Sequence, residues 1–443
     1  GGEFQDPLMV DPGALQIVER LQQQGFCALL AGGCVRDGLM GLQPKDWDVA
    51  TDADPGAVMR LFERTIPVGV KFGVVIVVLE EGQYEVARFR RDGQYLDGRR
   101  PGQVEFSGPE ADAQRRDFTV NGMFREPVTG ELIDYVGGRE DIERRLIRAI
   151  GDPSQRFAED YLRMLRAVRF AARFSFEIEA ETFAAIRTQA GKIEQISAER
   201  IRDELTRILT DGQAARGMQL LLEAGLLEVL LPEVAAMDGV GQPEQFHPEG
   251  DVWTHVKLAL EKLEDPEPTL AWGTLLPDIG KPPTYEESDR IRFNGHDAVG
   301  AKMARGICGR LRMSNDDTER ICQLIAHHMR FRHVGEMRAG KLKRFLREEY
   351  FPELMELHRV DCLACHAQLD LYDFCRERLA AGEEELRPQR LLTGRDLIEM
   401  GFPPGRLFRE IFDALEEEQL EGRIVDREQA ERFVLGQFGD RRS

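Results

Sequence analysis

The first third of the chain alternates short apolar runs with stretches of helical spacing. Residues 27–31 (CALLA) form an apolar run that leads into two glycines, which predicts a buried strand. Residues 46–50 predict a second strand and residues 84–89 another. Residues 68–79 are rich in β-branched side chains and are interrupted by Gly73, so they predict a strand pair or a bulged strand. This part of the chain therefore mixes strands with helices.

Three helices are predicted among these strands. Residues 14–24 have helical spacing, and a second helix is expected from about Val35 to Leu42. Asp54-Pro55 opens a third helix, because aspartate caps a helix N-terminus and proline fits its first turn. Residues 90–102 are polar and rich in turn-forming residues, which predicts a mobile loop.

Strand signals almost disappear after residue 138. Amphipathic spacing predicts long helices, such as Phe157–Phe174 and Ala198–Leu209. Proline and glycine interrupt this pattern at residues 241–250 and 280–284, and the first of these is the better candidate for a linker. The predicted fold class is α+β, with a small mixed-sheet head followed by an almost all-α neck, body and tail.

Length and charge add two constraints. With 443 residues the chain is too long for one ordinary domain. Its net charge of −20 argues mildly against a nucleic-acid partner. However, residues 139–173 carry nine arginines and six acidic residues. Binding of a nucleic acid depends on the local electrostatic field of the groove that receives it. Nucleic-acid binding by a basic surface of this acidic chain is therefore still an alternative.

The sequence gives no sign of a membrane or secretory protein. It has no run of 18 apolar residues and no basic segment followed by an apolar stretch at its start. Its seven cysteines are scattered without zinc-site spacing. We therefore expect a cytoplasmic protein.

Two aspartates follow the glycine turn. The segment GGCVRD (residues 32–37) comes directly after the first predicted strand, where glycines and a helix N-terminus can receive a phosphate. Asp46 and Asp48 lie at i and i+2 of the second strand, so their carboxylates point to one side. Such a pair is costly unless a cation lies between them, and its oxygen ligands suit Mg²⁺. A solvated strand end is the alternative, which the preceding glycine motif disfavours.

Five motifs occur in a fixed order between residues 27 and 210. They are GGCVRD with KDWDVAT (32–37 and 45–51), RRDFTVN (115–121), DYVGG with IRAIG (134–138 and 147–151), EDYLR (159–163) and AERIRDE (198–204). The series resembles the class II tRNA nucleotidyltransferases and bacterial poly(A) polymerases of the DNA polymerase β superfamily.

The resemblance implies an enzyme that extends the tRNA 3′ end without a nucleic-acid template. The tRNA 3′-hydroxyl would attack the α-phosphorus of ATP, and of CTP in a full CCA-adding enzyme, and release pyrophosphate. Asp46 and Asp48 would be the catalytic residues that hold Mg²⁺, with Glu85 a weaker candidate for a third carboxylate. Glu159 would orient Arg163, and Asp117 would face the ribose. The implied nucleotide-binding residues are Gly33, Arg36, Arg116, Asp117, Asp160, Arg163, Arg166 and Arg169.

Asp160 and Arg163 are the predicted base-reading residues. They lie at i and i+3 on one face of the predicted helix, where a carboxylate and a guanidinium together could hydrogen-bond a Watson–Crick edge. A plain i, i+3 ion pair is the alternative. Arg163, Arg166 and Arg169 repeat every three residues, which favours a face that meets anions.

Three related activities compete with full CCA addition: poly(A) synthesis, CC-only addition and A-only addition. Poly(A) polymerases tend to carry a Gly followed by two basic residues, Phe and a nearby His, and residues 68–76 lack this pattern. CC-adding enzymes lack part of a flexible loop, whereas residues 88–101 look like an intact loop. Full CCA addition and A-only addition both stay open. The flexible-loop residues are Arg90, Arg91, Asp92, Arg99 and Arg100.

The second half resembles an HD-type metal phosphohydrolase domain with a defect. Five of its eight histidines occur in the contexts HPEGDVWTHV, FNGHDAVGA and IAHHMRF, but the expected His-Asp pair reads Pro277-Asp278. A phosphodiesterase or phosphatase site built on His255, Asp278, His296 and Asp361 is one interpretation, and a degenerate scaffold for tRNA is favoured. The predicted regions are a nucleotidyltransferase head (9–138), a helical neck with the nucleotide-reading helix (139–240), a degenerate HD-like domain (241–375) and a tRNA-binding helical tail (376–443).

Overall fold

The computed structural model describes residues 10–93, 104–380 and 382–442. The chain forms two compact units, residues 1–235 and residues 236–443. In chain order the N-terminal unit contains α1 (Pro12–Gln23), β1 (Ala28–Ala31), α2 (Gly33–Leu39), β2 (Asp48–Thr51), α3 (Pro55–Leu61), β3 (Thr65–Gly69), β4 (Val74–Val78), β5 (Gln83–Arg88), β6 (Arg90–Asp92), β7 (Val104–Phe106), α4 (Pro109–Gln114), β8 (Phe124–Arg125), β9 (Leu132–Ile133), α5 (Gly138–Arg144), β10 (Leu146–Ile147), α6 (Pro153–Glu159), α7 (Leu162–Phe174), β11 (Glu177–Ile178), α8 (Ala180–Gln189), α9 (Ala198–Thr210), α10 (Ala214–Glu223), α11 (Leu226–Leu230) and α12 (Pro232–Ala235).

A seven-stranded mixed sheet organises the head. Its strand order is β3-β4-β5-β2-β1-β8-β9. Only β2 and β5 run parallel, while the other neighbouring strands of this sheet are antiparallel. Apolar side chains of α1 and α3, such as Ile17 and Val58, pack with Val49, Val77 and Val86 of the sheet in one buried core. The parallel pair matters most for the site, because it sets Asp48 in register with Glu85.

Several local predictions are confirmed. Asp54 accepts a hydrogen bond from the backbone N–H of Ala57 at 3.0 Å and Pro55 begins α3, as the cap signal indicated. Strands β3 and β4 pair with a register shift between Ile66 and Gly69, which is the predicted strand pair with an irregularity. Together with the almost entirely helical remainder, the sheet confirms the α+β class.

Three element boundaries were predicted wrongly. The second strand begins at Asp48, so Asp46 lies before it rather than inside it. Helix α2 begins at Gly33 and ends at Leu39, earlier than predicted. The predicted loop at residues 90–102 begins with a strand, because β6 pairs antiparallel with β7. Residues 94–103, which include Arg99 and Arg100, lie outside the described residues.

The predicted helix Phe157–Phe174 is two helices. Helix α6 ends at Glu159, and Asp160 has extended backbone angles of φ −155° and ψ 102°. The Asp160 carboxylate accepts a hydrogen bond from the backbone N–H of Leu162 at 3.1 Å, at the start of α7. Aspartate breaks helices in this way because its short side chain competes for backbone N–H groups. Asp160 and Arg163 therefore do not share one helix face.

Helices dominate the C-terminal unit. No helix or strand lies between α12 and the next helix in the described chain, which places residues 241–250 in an irregular segment. The elements are α13 (Val252–Glu261), α14 (Pro268–Leu275), β12 (Tyr285–Glu287), β13 (Ile291–Phe293), α15 (His296–Arg310), α16 (Asn315–Phe331), α17 (Ala339–Leu346), α18 (Phe351–Cys365), α19 (Asp370–Ala380), α20 (Glu383–Leu386), α21 (Gly394–Glu399), α22 (Arg406–Leu420) and α23 (Arg427–Phe438).

Apolar clusters hold parts of this unit together. One packs α16, α17 and α18 around Phe331, Phe345 and Phe351. A separate cluster in the tail includes Phe402 and Ile411. Among the residues that the structure describes, no helix combines the length and the apolar character needed to cross a membrane.

Candidate active site

A glycine turn forms one wall of a large polar pocket in the N-terminal unit. Gly32 precedes α2 with φ 72° and ψ −127°, a conformation that favours glycine. A Cβ at Gly32 would lie 3.1 Å from a terminal nitrogen of Arg116. Glycine here therefore allows the arginine of the RRDFTVN segment to approach the turn. The pocket has a volume of about 790 Å³ and is lined by Gly32, Gly33, Arg36, Asp46, Asp48, Glu85, Arg115, Arg116, Asp117, Asn121, Asp160, Leu162, Arg163, Arg166, Arg169, Phe170, Arg173, Arg200 and Arg207.

Three carboxylates on or next to the sheet line this pocket. Asp48 begins β2 beside Glu85 of β5, and Asp46 lies two residues before Asp48. Although Asp48 is solvent-exposed, partial desolvation within the pocket raises its pKa to about 6, and the charges of Glu85 and Asp46 add to this against the opposing Arg116. A carboxylate whose charged form is disfavoured in this way gains from a nearby cation.

The spacing of the carboxylates leaves room for additional ligands. In the described residues, the groups of three or more ligand atoms that lie within 4.8 Å of one another belong to the C-terminal unit. Asp46, Asp48 and Glu85 are thus not drawn into a closed cage. Mg²⁺ commonly keeps waters and substrate phosphates beside one or two carboxylates, so these residues fit that ion.

Hydrogen bonds join the RRDFTVN segment to the glycine turn and to α7. Asp117 accepts from Arg166 at 2.8 Å and from the side-chain amide of Asn121 at 3.2 Å. Asn121 in turn accepts from Arg36 at 2.6 Å. Burial alone would raise the pKa of Asp117, but Arg166 and Arg163 outweigh burial and lower it to about 2. Asp117 therefore stays charged and holds Arg166 in the pocket.

A charged side chain of the protein holds each of the two predicted base-reading residues. Asp160 accepts from two nitrogens of Arg200 at 3.1 and 2.7 Å. Arg163 donates to Glu159 at 2.5 Å and to the backbone carbonyl of Arg156 at 3.0 Å. Glu159 thus makes the contact that its predicted orienting role requires. It does not itself line the pocket, and reaches it through Arg163.

The three-residue repeat of arginines has a structural explanation. Arg166 pairs with Asp117, and Arg169 donates to Glu204 at 2.7 Å. Arg169 and Glu204 are each only 5% exposed. The anions that these two arginines meet are therefore carboxylates of the protein, although both arginines also line the pocket.

A second pocket of about 620 Å³ adjoins the loop that begins at β6. Its walls include Arg91, Asp92, Arg156 and Glu159. Arg156 donates to the backbone carbonyls of Gln114 and Arg115 and to Glu159. Glu159 therefore lines this pocket and contacts Arg163, which lines the first one.

Sequence reasoning missed Arg156, Asn121 and Arg200 as site residues. Arg200 lies in the quoted AERIRDE motif and Asn121 in RRDFTVN, so their motifs were the available signal. Their partners lie 40 and 85 residues away in sequence, which spacing alone cannot reveal.

The candidate hydrolase residues of the C-terminal unit also lie together. His255 has its Nε2 atom 2.8 Å from Asp361 and 3.9 Å from Asp278. His296 lies 3.6 Å from Asp278, and His328, which sequence reasoning did not select, lies 3.9 Å from it. Pro277 contributes no side-chain ligand.

Three family models match the chain. They are described as the Poly A polymerase head domain (residues 28–148), the Probable RNA and SrmB- binding site of polymerase A (residues 175–237) and the HD domain (residues 251–364). The third match is in line with the HD-type resemblance read from the sequence.

Individual relatives carry one consistent name. The chain is 30% identical to the CCA-adding enzyme of Enterococcus faecalis over 430 residues, covering 94% of this chain and 93% of that protein. It is 42% identical to the CCA-adding enzyme of Bacillus pumilus over 218 residues, covering 49% of this chain and 54% of that protein. The match thus spans about half the length of the latter relative. The crystal structure of the Bacillus stearothermophilus CCA-adding enzyme in complex with CTP matches with a TM-score of 0.74 at 28% identity, covering 98% of this chain and 99% of that one.

Proposed function

Because this chain belongs to the family of CCA-adding enzymes, we propose that it adds nucleotides of the 3′-terminal CCA sequence to tRNA. The nucleotides would come from CTP and ATP, no nucleic-acid template would be used, and pyrophosphate would be released. One observation carries the proposal: the same pocket contains the carboxylates Asp46 and Asp48 and the base-reading candidates Asp160 and Arg163.

The carboxylate side of the pocket suits the reacting atoms. Asp46 and Asp48 would hold Mg²⁺, which when bound promotes deprotonation of the tRNA 3′-hydroxyl and stabilises charge on the departing pyrophosphate. Arg36 and Arg116 line the same pocket and would receive the triphosphate oxygens. These side chains would fix the α-phosphorus in line with the attacking hydroxyl, and such positioning supplies much of the rate of phosphoryl-type transfer.

Asp160 and Arg163, in the same pocket, suit the base. A carboxylate and a guanidinium together offer acceptors and donors in one plane, as a Watson–Crick partner does. Asp160 is held by Arg200, and Arg163 is held by Glu159. Since a planar carboxylate has about four acceptor positions, the Asp160 carboxylate can still accept from a cytosine or adenine amino group. Arg163 would donate to the ring nitrogen or carbonyl of the same base.

The decisive experiment uses three tRNA substrates that end before CCA, after its first C and after its second C. Each is incubated with CTP alone, with ATP alone and with both. Stepwise extension of all three tRNAs identifies a full CCA-adding enzyme, whereas extension of only the CC-ended tRNA by A identifies A-only addition. Long A-tails on arbitrary RNA would instead identify a poly(A) polymerase and contradict the proposal.

Substitution of the carboxylates tests the assignment of the pocket. Asp46→Ala and Asp48→Ala should each abolish incorporation while binding of tRNA, measured by filter retention, persists. Glu80→Ala removes an exposed carboxylate of the same head outside the pocket and should leave incorporation unchanged. Persistent incorporation in the Asp46→Ala/Asp48→Ala double variant would show that the metal assignment is wrong.

A further inference from the structure

One arginine of the large polar pocket has no acceptor within the protein. The arginines that line this pocket are Arg36, Arg115, Arg116, Arg163, Arg166, Arg169, Arg173, Arg200 and Arg207. All of them except Arg173 have a nitrogen within 4.0 Å of a carboxylate oxygen. In the part of the chain that the structure describes, Arg173 alone of this set makes neither an ion pair nor a side-chain hydrogen bond. Its charge is therefore left for a ligand of the pocket to neutralise.

The ring of Phe174 holds Arg173 and one other arginine. The central guanidinium carbon of Arg36 lies 4.6 Å from the centre of this ring, and that of Arg173 lies 5.1 Å from it. Phe174 in turn stacks on Phe170, with ring centroids 6.1 Å apart and planes only 5° from parallel. A contact with an aromatic face attracts a cation but uses none of the five N–H donors of an arginine. The ring thus positions Arg173 and leaves its donors available.

The two cations on this ring repel each other. Burial lowers the pKa of Arg36, and the positive charge of Arg173 acts in the same direction, against the carboxylates of Asp37 and Asp117. Like charges this close are unfavourable unless an opposite charge lies near them. An anion that binds to Arg173 would relieve this repulsion.

The neighbouring arginines have fewer donors to offer such an anion. Each guanidinium nitrogen of Arg36 already donates to Asp37 or Asn121, and Arg36 is only 5% exposed. Arg169, one helical turn before Arg173, donates to a buried glutamate at 2.7 Å. Arg173 is half-buried and lines the pocket with all of its donors unused. It is therefore the arginine at this end of α7 that is best able to bind a ligand with several anionic oxygens.

Helix α7 presents its arginines in the order of the parts of a nucleotide. Arg163, a base-reading candidate, lies in the first turn of α7, and Arg166 contacts Asp117, the candidate that faces the ribose. Arg173 lies in the last turn, about 15 Å beyond Arg163 along the axis at a rise of about 1.5 Å per residue. A triphosphate extends from the ribose away from the base. Arg173 thus lies where its terminal phosphates are expected.

We propose that Arg173 binds the terminal phosphates of the incoming ATP or CTP. This inference rests on the proposed function, because it needs a nucleotide whose base lies at Asp160 and Arg163. A guanidinium and a phosphate form paired, charge-assisted hydrogen bonds. The same contact would hold the pyrophosphate after transfer. A backbone phosphate of tRNA has the same chemistry, so the two sources are tested separately.

Binding without turnover tests the proposal. Equilibrium dialysis of the full chain, with Mg²⁺ and without tRNA, measures the Kd of ATP, of AMP and of pyrophosphate. Arg173→Gln should weaken binding of ATP and of pyrophosphate by at least about tenfold, as the loss of a charged hydrogen bond predicts. Binding of AMP should stay unchanged, because AMP lacks the terminal phosphates. Arg173→Lys keeps the charge but not the planar fork and should show a smaller loss.

A matched control removes the same charge elsewhere in the N-terminal unit. Arg187→Gln replaces an exposed arginine of α8 and should leave all three Kd values unchanged. Thermal melting should be similar for the wild type and both glutamine variants. During incorporation, Arg173→Gln should raise KM for ATP and leave KM for tRNA unchanged.

Three results would overturn the proposal. Equal losses of ATP and AMP binding would mean that Arg173 acts near the base or the α-phosphate. Weaker tRNA binding with unchanged ATP binding would place a tRNA phosphate at Arg173. Wild-type affinities throughout in Arg173→Gln would refute this inference alone, provided that the wild type binds ATP and extends tRNA. A wild type that did neither would refute the proposed function and this inference together.

Discussion

Arg200 of α9 donates two hydrogen bonds to the carboxylate of Asp160, at 3.1 and 2.7 Å. This fork holds both carboxylate oxygens in one plane. Asp160 lies in the extended break between α6 and α7, where helical backbone does not fix its side chain. The orientation of a predicted base-reading group therefore depends on an arginine 40 residues further along the chain.

Arg200→Lys should reduce nucleotide discrimination more than it reduces tRNA binding. Lysine keeps the charge but cannot make the planar fork, so Asp160 gains alternative orientations. We expect kcat/KM for ATP and CTP relative to GTP and UTP to fall by about tenfold, which corresponds to about 1.4 kcal/mol. Arg202→Lys, on the same helix and paired with Asp203, is the matched control. Equal losses for all four nucleotides would refute a role in base selection.

Arg156→Ala should destabilise the N-terminal unit. The guanidinium donates to the backbone carbonyls of Gln114, Arg115 and Ile150 and to Glu159. Its removal leaves several acceptors without this donor, which costs about 2–3 kcal/mol for a mostly buried charged group. Urea denaturation measures the change, and Arg187→Ala, an exposed arginine of α8, should shift the midpoint little. If the urea midpoint of Arg156→Ala shifted no more than that of Arg187→Ala, water would be shown to replace these contacts.

The sequence predicted best those features that depend on neighbouring residues. The strand at residues 28–31, the cap at Asp54 and the strand pair β3–β4 each follow from local patterns. The motif order likewise selected residues such as Asp46, Asp48, Arg116 and Arg163, and all four line one pocket. Local spacing and motif identity were sufficient there because each residue is placed by its own strand, turn or helix.

The spacing of residues along the chain could not predict contacts between distant segments. The apolar residues between 157 and 174 keep regular helical spacing, so the sequence did not reveal the break at Asp160. The break arises because the Asp160 side chain accepts a hydrogen bond from the backbone N–H of Leu162, and this does not alter the spacing of the apolar residues. The partners of Arg166 and Arg169 are carboxylates 49 and 35 residues away. No periodicity argument could distinguish these internal carboxylates from the phosphates of a ligand.

Gly138→Ala should destabilise the N-terminal unit at the start of α5. A Cβ at this first residue of α5 would lie 2.3 Å from the backbone carbonyl oxygen of Thr119, so the RRDFTVN segment would have to shift. Overpacking of this kind costs about 1–3 kcal/mol. Gly191→Ala is the matched control, because a Cβ there meets no atom within 4 Å. Thermal melting of both variants measures the effect, and equal melting temperatures would contradict the predicted clash.

His358→Gln should flatten the dependence of stability on pH between pH 7 and pH 5. His358 is 7% exposed and stacks on Phe331 with ring centroids 4.2 Å apart. Burial lowers its pKa to about 4, with Arg332 acting in the same direction and Asp361 opposing.

The direction of this pH effect follows from the lowered pKa of His358. An unfolded histidine has a pKa of about 6.5, so between about pH 6.5 and pH 4 the unfolded chain binds the proton that folded His358 refuses. The neutral ring of His358 therefore contributes its full stabilisation at pH values above the unfolded-state pKa. This contribution is lost as the pH falls towards 4. The loss between pH 7 and pH 5 should be about 2 kcal/mol in the wild type and absent for this position in His358→Gln. Urea titrations at both pH values measure the difference, with the exposed His333→Gln as the control. An identical slope in wild type and His358→Gln would mean that His358 is protonated in the folded protein.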